Sequence, residues 1–318
     1  MPDRDGGHYF LTALLPIDNH GIVEHGRFKS SPVHMVRDAL EALPTALQTP
    51  ASEAIGIPSP FSRSLRTHFA RLFVIDAPAY NGRDNPGTLR ATAGKVDLLQ
   101  AQPVDRLACP YLVFVADFDP APGGEPEPRS WLEELWSVAS AELRSVFEYC
   151  YQFDPDGDGA AFADFVIKGQ VETTMPFNDY WTDQPHIPNL TVPALVLAPA
   201  CGAVLAAATA IILGLGLGLL LGVVFVGLGL WYDVALINRR GAKPFPTAPN
   251  STLRDVLKAL YLQQAFTRFA IAEQGASPAQ LRADFAAFVA ATRPNDLERP
   301  TQPAGVVRSQ LAPEGTDA

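Results

Sequence analysis

Three aspartates, Asp154, Asp156 and Asp158, stand two residues apart in "DPDGDGAAFADF", which runs from Asp154 to Phe165. That spacing fills the first, third and fifth positions of a calcium loop, with Gly159 at the sixth. The twelfth position of such a loop is a bidentate glutamate. Here it is Phe165, and Asp164 comes one residue early. The next residues read as a strand, where a calcium loop needs a helix. A solvent-exposed turn is therefore the expected role of the three aspartates, with metal binding as the alternative.

A second group lies in "THFARLFVID", from Thr67 to Asp76. His68 could act in acid/base or ligand chemistry. In a regular strand, however, it points to the opposite face from Arg71. A histidine in an apolar strand reads first as a hydrogen-bonded core residue and second as a catalyst. Arg71, amid apolar neighbours, needs a carboxylate or another anion. Asp117 and Asp119, at the end of "PYLVFVADFD", are its expected partners, in a structural ion pair or in an anion or cofactor clamp. Glu133 and Glu134 are paired acids, expected on the solvated face of a helix. The stretch Pro176–Trp181 reads as an anchor at a membrane surface. Cys109, Cys150 and Cys201 are three in number and widely spaced, so they form no disulfide framework and no metal-ligand pattern. No GxSxG, HExxH or CxxC occurs. The glycines of "GLGLGLLLG" follow no strand, so they are not a phosphate loop.

The elements that must position these residues are delimited by many of the 29 prolines. His8–Ile17 is an apolar, aromatic strand ending near Pro16. Ser31 and Pro32 open a helix with Val33, Val36, Leu40 and Leu43 at helical spacing. Thr67–Asp76 and Pro110–Asp119 are strands, separated by a long loop over Tyr80–Val104. Both strands are apolar on both sides, so the second sheet face is expected to be covered as well. A long helix comes next, with Trp131, Leu135, Val138, Leu143, Val146 and Phe147 on one stripe. Phe162–Met175 reads as a fourth strand. The order β-α-β-β-α-β is the ferredoxin-like pattern, an antiparallel sheet with two helices on one face. Further on, Thr252 and Asp255 open one helix, which Gly275 closes. Ser277 and Pro278 open a second, with Leu281, Phe285, Phe288 and Val289 as its apolar positions.

Between Asp183 and Asp233 there is no Asp, Glu, Lys or Arg. From Pro193 to Tyr232 a single helix would be ~60 Å long, about twice a ~30 Å hydrocarbon core. Two crossings of roughly 18–19 residues each fit better, turning at Gly214, Gly216 and Gly218. Gly202, Ala206, Ala210, Gly214, Gly218 and Gly222 recur every fourth residue, a small-residue row that lets helices approach closely. In a hairpin the row joins the two arms. In a single span it becomes a seam between copies of the chain. A shallow re-entrant pair is a third arrangement. Arg239, Arg240 and Lys243 put the C-terminal flank in the cytoplasm. The polar N-terminus lacks a signal peptide, so a hairpin keeps both soluble parts on that side.

The formal net charge of −10, with no basic cluster, argues against a nucleic-acid partner. The expected organisation is α+β. A ferredoxin-like domain over 1–180 precedes a transmembrane hairpin over 190–237. A C-terminal helical pair occupies 250–294, then a disordered tail 299–318.

"THFARLFVID", "PYLVFVADFD" and "WLEELW" resemble a loose family of mostly uncharacterised proteins. Its strand motif is of the LHFAR type, followed by a second strand ending [FY]-D-G and a helix starting [YFW]-L-[DE]-[DE]-[LF]. Here Thr67 replaces the leading Leu, and Pro120 stands in place of Gly. "LKALYLQQAFTRFAIAEQG" is similar to a downstream block of such proteins. The matching residues are His68, Arg71, Asp76, Asp117, Asp119, Glu133 and Glu134. The resemblance covers about half the chain and rests mainly on strand-core residues. It implies a ferredoxin-like fold, hydrophobic membrane segments and, in members described as peroxidase- or catalase-like, haem chemistry. No axial haem ligand can be assigned from these positions. The leading expectation is a membrane-anchored protein that binds a ligand or partner. The alternative is a membrane-associated oxidoreductase of peroxidase or monooxygenase type, acting on an apolar substrate with His68 and Arg71 in its site.

Overall fold

Strand β1 (Tyr9–Pro16) buries Tyr9, Leu11, Ala13 and Leu15 on one face. This is the period-two alternation of a half-buried strand. A computed structural model describes residues 3–18, 21–25, 28–77, 107–172, 181, 183, 185 and 190–307. The loop expected over Tyr80–Val104, and most of the aromatic stretch before Trp181, lie outside the described residues. A short antiparallel ribbon, β2 (Val23–His25) with β3 (Phe28–Ser30), leads into helix α1 (Pro32–Ala42). The side chain of Ser31 accepts from the His34 N–H and caps α1, with proline in its first turn. Helix α2 (Pro50–Ile55) and a 3-10 turn (Pro60–Arg63) precede β4 (Thr67–Ile75). Strand β5 (Tyr111–Phe118) then inserts between β1 and β4, and all pairs are antiparallel.

Helix α3 (Pro128–Phe147) lays its apolar stripe on the sheet. Trp131 stacks on Phe118 with ring centroids 4.1 Å apart, and its indole N–H donates to Thr67 Oγ1 at 3.0 Å. Burying such a side chain fully is worth ~2–3 kcal/mol, and the hydrogen bond removes the cost of a buried donor. On the other sheet face Phe10 and Val113 are buried, while Phe69 is 47% exposed. That face is covered near β1 and open along β4.

The strand expected over Phe162–Met175 is not formed among its described residues, 162–172. Helix α4 (Gly159–Lys168) occupies the first half of the span. The Asp158 side chain accepts from the Ala161 N–H at 2.9 Å, which starts the helix. Phe162, Ala163 and Val166 are buried on one face, at helical spacing. The cap and this packing override the β-propensity of Phe, Val and Ile. Past α4 the chain turns back along β1. Leu14 N–H donates to Gly169 O at 2.8 Å and Val171 N–H to Thr12 O at 2.9 Å, around an antiparallel bridge of Ala13 with Gln170.

The chain divides into two units, one of which joins residues on both sides of the apolar helices. Gly7–Thr174 belongs with Asn250–Ala318, and Met1–Gly6 with Met175–Pro249. In the first of these, α7 and α8 follow the sheet, where α7 is Leu253–Ala272 and α8 is Pro278–Thr292. Thr252 and Ser277 cap them as their types predict. Lys258 is buried, and its ammonium donates to Thr292 O at 2.8 Å and Pro300 O at 2.9 Å. Burial pushes its pKa down. Residues 299–307, read from composition as the start of a disordered tail, are tied down. Leu47 N–H donates to Gly305 O and Val307 N–H to Leu47 O, both at 2.8 Å, and Gln302 is buried. Residues 308–318 lie outside the described residues.

In the other unit, α5 (Val192–Leu213) and α6 (Leu215–Gly241) run antiparallel on either side of Gly214, whose φ is 93°. That backbone region suits glycine. A Cβ on Gly222 would lie 2.8 Å from Ala206 Cβ, one on Gly218 would lie 2.4 Å from Ala210 Cβ, and one on Gly202 would lie 2.7 Å from Phe225 O. The small-residue row therefore forms the contact between the two helices. At ~1.5 Å per residue the helices are ~33 and ~40 Å long, each enough to span a bilayer core. Their outward side chains are apolar and bare, with Ile211 85% and Val223 77% exposed. Both helices are long and apolar enough to cross a membrane. Beside them, Asp5 bridges Phe245, and Gly6 N–H donates to Phe245 O at 2.8 Å.

Candidate functional site

The register of the sheet brings three chemistry-bearing residues to one end of it. Tyr9 and Thr67 both pair with Phe118. One step further along, His8 and Arg66 flank Asp119. The Asp119 N–H donates to Arg66 O at 2.8 Å, and Arg66 Nε donates to Asp119 O at 3.0 Å. A bulge between Thr67 and Phe69 leaves His68 as the extra residue on β4. A bulge breaks the alternation of faces and re-aims a side chain. This is why His68 escapes the parity read from the sequence and reaches Asp119.

His68 Nε2 lies 2.9 Å from Asp119 Oδ1, and His8 Nε2 lies 3.6 Å from the same oxygen. The two imidazole rings meet edge to face with centroids 5.2 Å apart. All three side chains are nearly sealed from solvent, 4% exposed for His8, 7% for His68 and 8% for Asp119. The other carboxylate oxygen, Oδ2, accepts the Leu253 N–H at 2.8 Å. His8 Nε2 also lies 3.1 Å from Ser251 O. The start of α7 thus supplies a backbone donor and a backbone acceptor to the same cluster. Asp117, two residues back, has its pKa raised chiefly by burial, with His68 and His8 acting the other way.

Arg71 is not part of this cluster. It is exposed, and its guanidinium lies over the Phe73 ring, 5.1 Å from the centroid. Among the described residues it forms no ion pair with Asp117 or Asp119. Arg66 takes the place expected of Arg71. It reaches Glu134 Oε2 at 2.9 Å and Ser130 Oγ at 3.3 Å. Glu134 also accepts from Ser64 Oγ at 2.7 Å, so it anchors the start of β4 to α3 instead of lying free on a solvated face. Glu133 lies 3.8 Å from Arg129. Asp76 pairs with Arg37 at 2.7 Å, which holds its carboxyl below the ordinary range.

The three aspartates of the calcium-like spacing build a turn and a cap. Asp154 Oδ1 accepts the Asp156 N–H at 3.1 Å, and Asp158 is committed to α4. A helix does come after them, but it begins at the sixth loop position, so the remaining ligand positions of a calcium loop are helical. Asp164 pairs with Arg129. Among the described residues the group whose donor atoms lie close enough together to hold a metal ion is His8, His68 and Asp119, not these aspartates.

Sequence reasoning missed His8. It stands just before β1, and only the β1–β5 register shows that it meets Asp119. Haem does not fit the cluster. The His68 nitrogen that would take an axial position faces a carboxylate at 2.9 Å, and that carboxylate is held from behind by a backbone N–H. A cavity of about 490 Å³ beside β1 and α4, lined by Leu14, Tyr151, Phe165 and Lys168 among others, includes neither His68 nor Arg71. Comparison with protein-family models, curated proteins and solved structures gives no match for this chain.

Proposed function

We propose that this chain is a membrane-anchored binding protein, inserted by a two-crossing helical hairpin, with all its folded soluble material on the cytoplasmic side. One observation carries the reading. The residues before the apolar helices and those after them close into one unit, through contacts such as Asp119 with the Leu253 N–H and Leu47 with Gly305 and Val307. An odd number of crossings would part these halves across the bilayer, whereas two crossings return the chain to its starting side. The antiparallel packing of α5 on α6 and their bare apolar outer surfaces agree with this. Arg239, Arg240 and Lys243 at the end of α6 favour the cytoplasmic side. Because the small-residue row is occupied within one chain, the proposal does not include pairing of copies through it.

The sheet order, with Gly169–Val171 beside β1, then β5, then β4, supports a ferredoxin-like reading whose fourth strand is cut to a few residues. Binding is favoured over oxidoreductase chemistry because His68 and Arg71 do not share a site. Orientation tests the proposal. In a chain with Cys109, Cys150 and Cys201 replaced by Ser, single cysteines at Ile22 and Ala279 should react with an impermeant maleimide from the same side of sealed vesicles. A cysteine at Gly216 should react only from the other. Labelling of the Ile22 and Ala279 positions from opposite sides would overturn the reading.

A further inference from the structure

We propose that His8, His68 and Asp119 form a binding site for a divalent transition metal of the zinc class. The inference goes beyond the membrane reading and does not depend on it. Two imidazoles and one carboxylate are the borderline nitrogen and oxygen donors that zinc and its neighbours take, usually as three protein ligands with a further position open. Two ligand atoms each ~2.1 Å from one ion lie ~3.0 Å apart at a right angle and ~3.4 Å apart at the tetrahedral angle. The two Nε2 atoms lie 2.9 and 3.6 Å from Asp119 Oδ1, which brackets both values. All three ligand atoms lie within 4.8 Å of one another. Ser251 O, 3.1 Å from His8 Nε2, is a fourth donor at matching distance.

The ligands are also held from behind, as metal ligands must be. Asp119 Oδ2 is fixed by the Leu253 N–H at 2.8 Å, which leaves Oδ1 to the histidines. The backbone of Asp119 is clamped on both sides by Arg66. His68 is set by a bulge and His8 by the end of a central ladder. Convergence of two imidazole nitrogens on a single carboxylate oxygen distinguishes this cluster from an ordinary histidine–aspartate pair, which needs only one. The bound ion would replace the protons between these atoms and cross-link β1, β4, β5 and the start of α7.

The test uses the full chain in mild detergent, without an affinity tag, stripped with chelator and dialysed against Zn²⁺ or Co²⁺. Elemental analysis is expected to give about one zinc per chain. The cobalt form is expected to show visible bands without thiolate charge transfer. His68→Gln and His8→Gln should each weaken binding at least about tenfold, while His34→Gln, on an exposed helix face, should leave it unchanged. Thermal unfolding of the stripped variants separates loss of the site from loss of the fold. Because these variants could also misfold, the chain with all three cysteines replaced by Ser gives an independent reading, and it should keep its metal. Failure of the wild-type chain to take up either ion would overturn the proposal. So would unchanged affinity in folded His68→Gln, or loss of metal with the cysteines.

Discussion

The seam between α5 and α6 makes a prediction with an internal control. In Gly222→Ala the new Cβ falls 2.8 Å from Ala206 Cβ, and Ala206 Cα is already 3.9 Å away. Two carbons settle at about 3.5–4.0 Å, so the overlap is about 1 Å and involves one methyl group. Overpacking of this kind costs about 1–3 kcal/mol. Removing that methyl with Ala206→Gly leaves only an ordinary contact, so the double variant should recover most of the loss. Helix propensity leaves no net loss, because the double variant gives up one helical glycine and gains another. Gly218→Ala behaves differently. Its Cβ meets Ala210 Cα at 2.3 Å and N at 2.6 Å as well as Cβ, so Ala210→Gly cannot relieve it. Gly216, with nothing within 4 Å of an added Cβ, should accept alanine without loss. The assay is reversible unfolding of the detergent-solubilised protein, read as a double-mutant cycle. A coupling of about 1–2 kcal/mol is expected for positions 206 and 222, with no rescue at 210 and 218. Additive effects at 206 and 222, or equal losses at Gly216 and Gly218, would refute the antiparallel register.

Burial and charge set two further outcomes. Cys150 is buried, and burial pushes its thiol up to about 12, so maleimide at neutral pH should leave it unmodified in the folded protein and label it on unfolding. Mass spectrometry of the peptides checks this, with the half-buried Cys109 as the reactive comparison. Glu142 is held below its ordinary value, first by the hydrogen bond from Arg63. A depressed carboxylate adds stability above its unfolded pKa and loses it as pH falls through the folded one. Arg63→Gln should therefore lower the melting temperature near neutral pH, and the gap to wild type should narrow as pH falls through the folded pKa of Glu142.

Most elements of the sheet unit are legible in residue types. Alternation marks β1, the Ser31 and Thr252 caps mark α1 and α7, and the stripe from Trp131 to Phe147 marks α3. The apolar run and its small-residue row are legible too, because length and spacing alone carry that information. Phe162–Met175 misleads because its β-branched and aromatic residues speak for a strand, while the Asp158 cap that decides for a helix is a single residue. The site is legible only in part. His68 and Asp119 stand out, but strand parity assumes a regular strand, and the bulge beside His68 leaves no mark in composition. His8 and Leu253 reach Asp119 through pairings across 111 and 134 positions of chain, and no local pattern encodes such distances. Arg71 draws attention over Arg66 because it lies mid-strand, whereas the strand end is where Asp119, Ser130 and Glu134 converge.

The knitting of Leu253 to Asp119 and of Val307 to Leu47 has a consequence for biosynthesis. A ribosome delivers the sheet strands first, then the two oily helices, and only afterwards the helices that complete the sheet's end. Until then Asp119 lacks its Leu253 donor, and the end of the sheet stays open. In the membrane-inserted form proposed above, closure of this unit would therefore follow delivery of the two apolar helices.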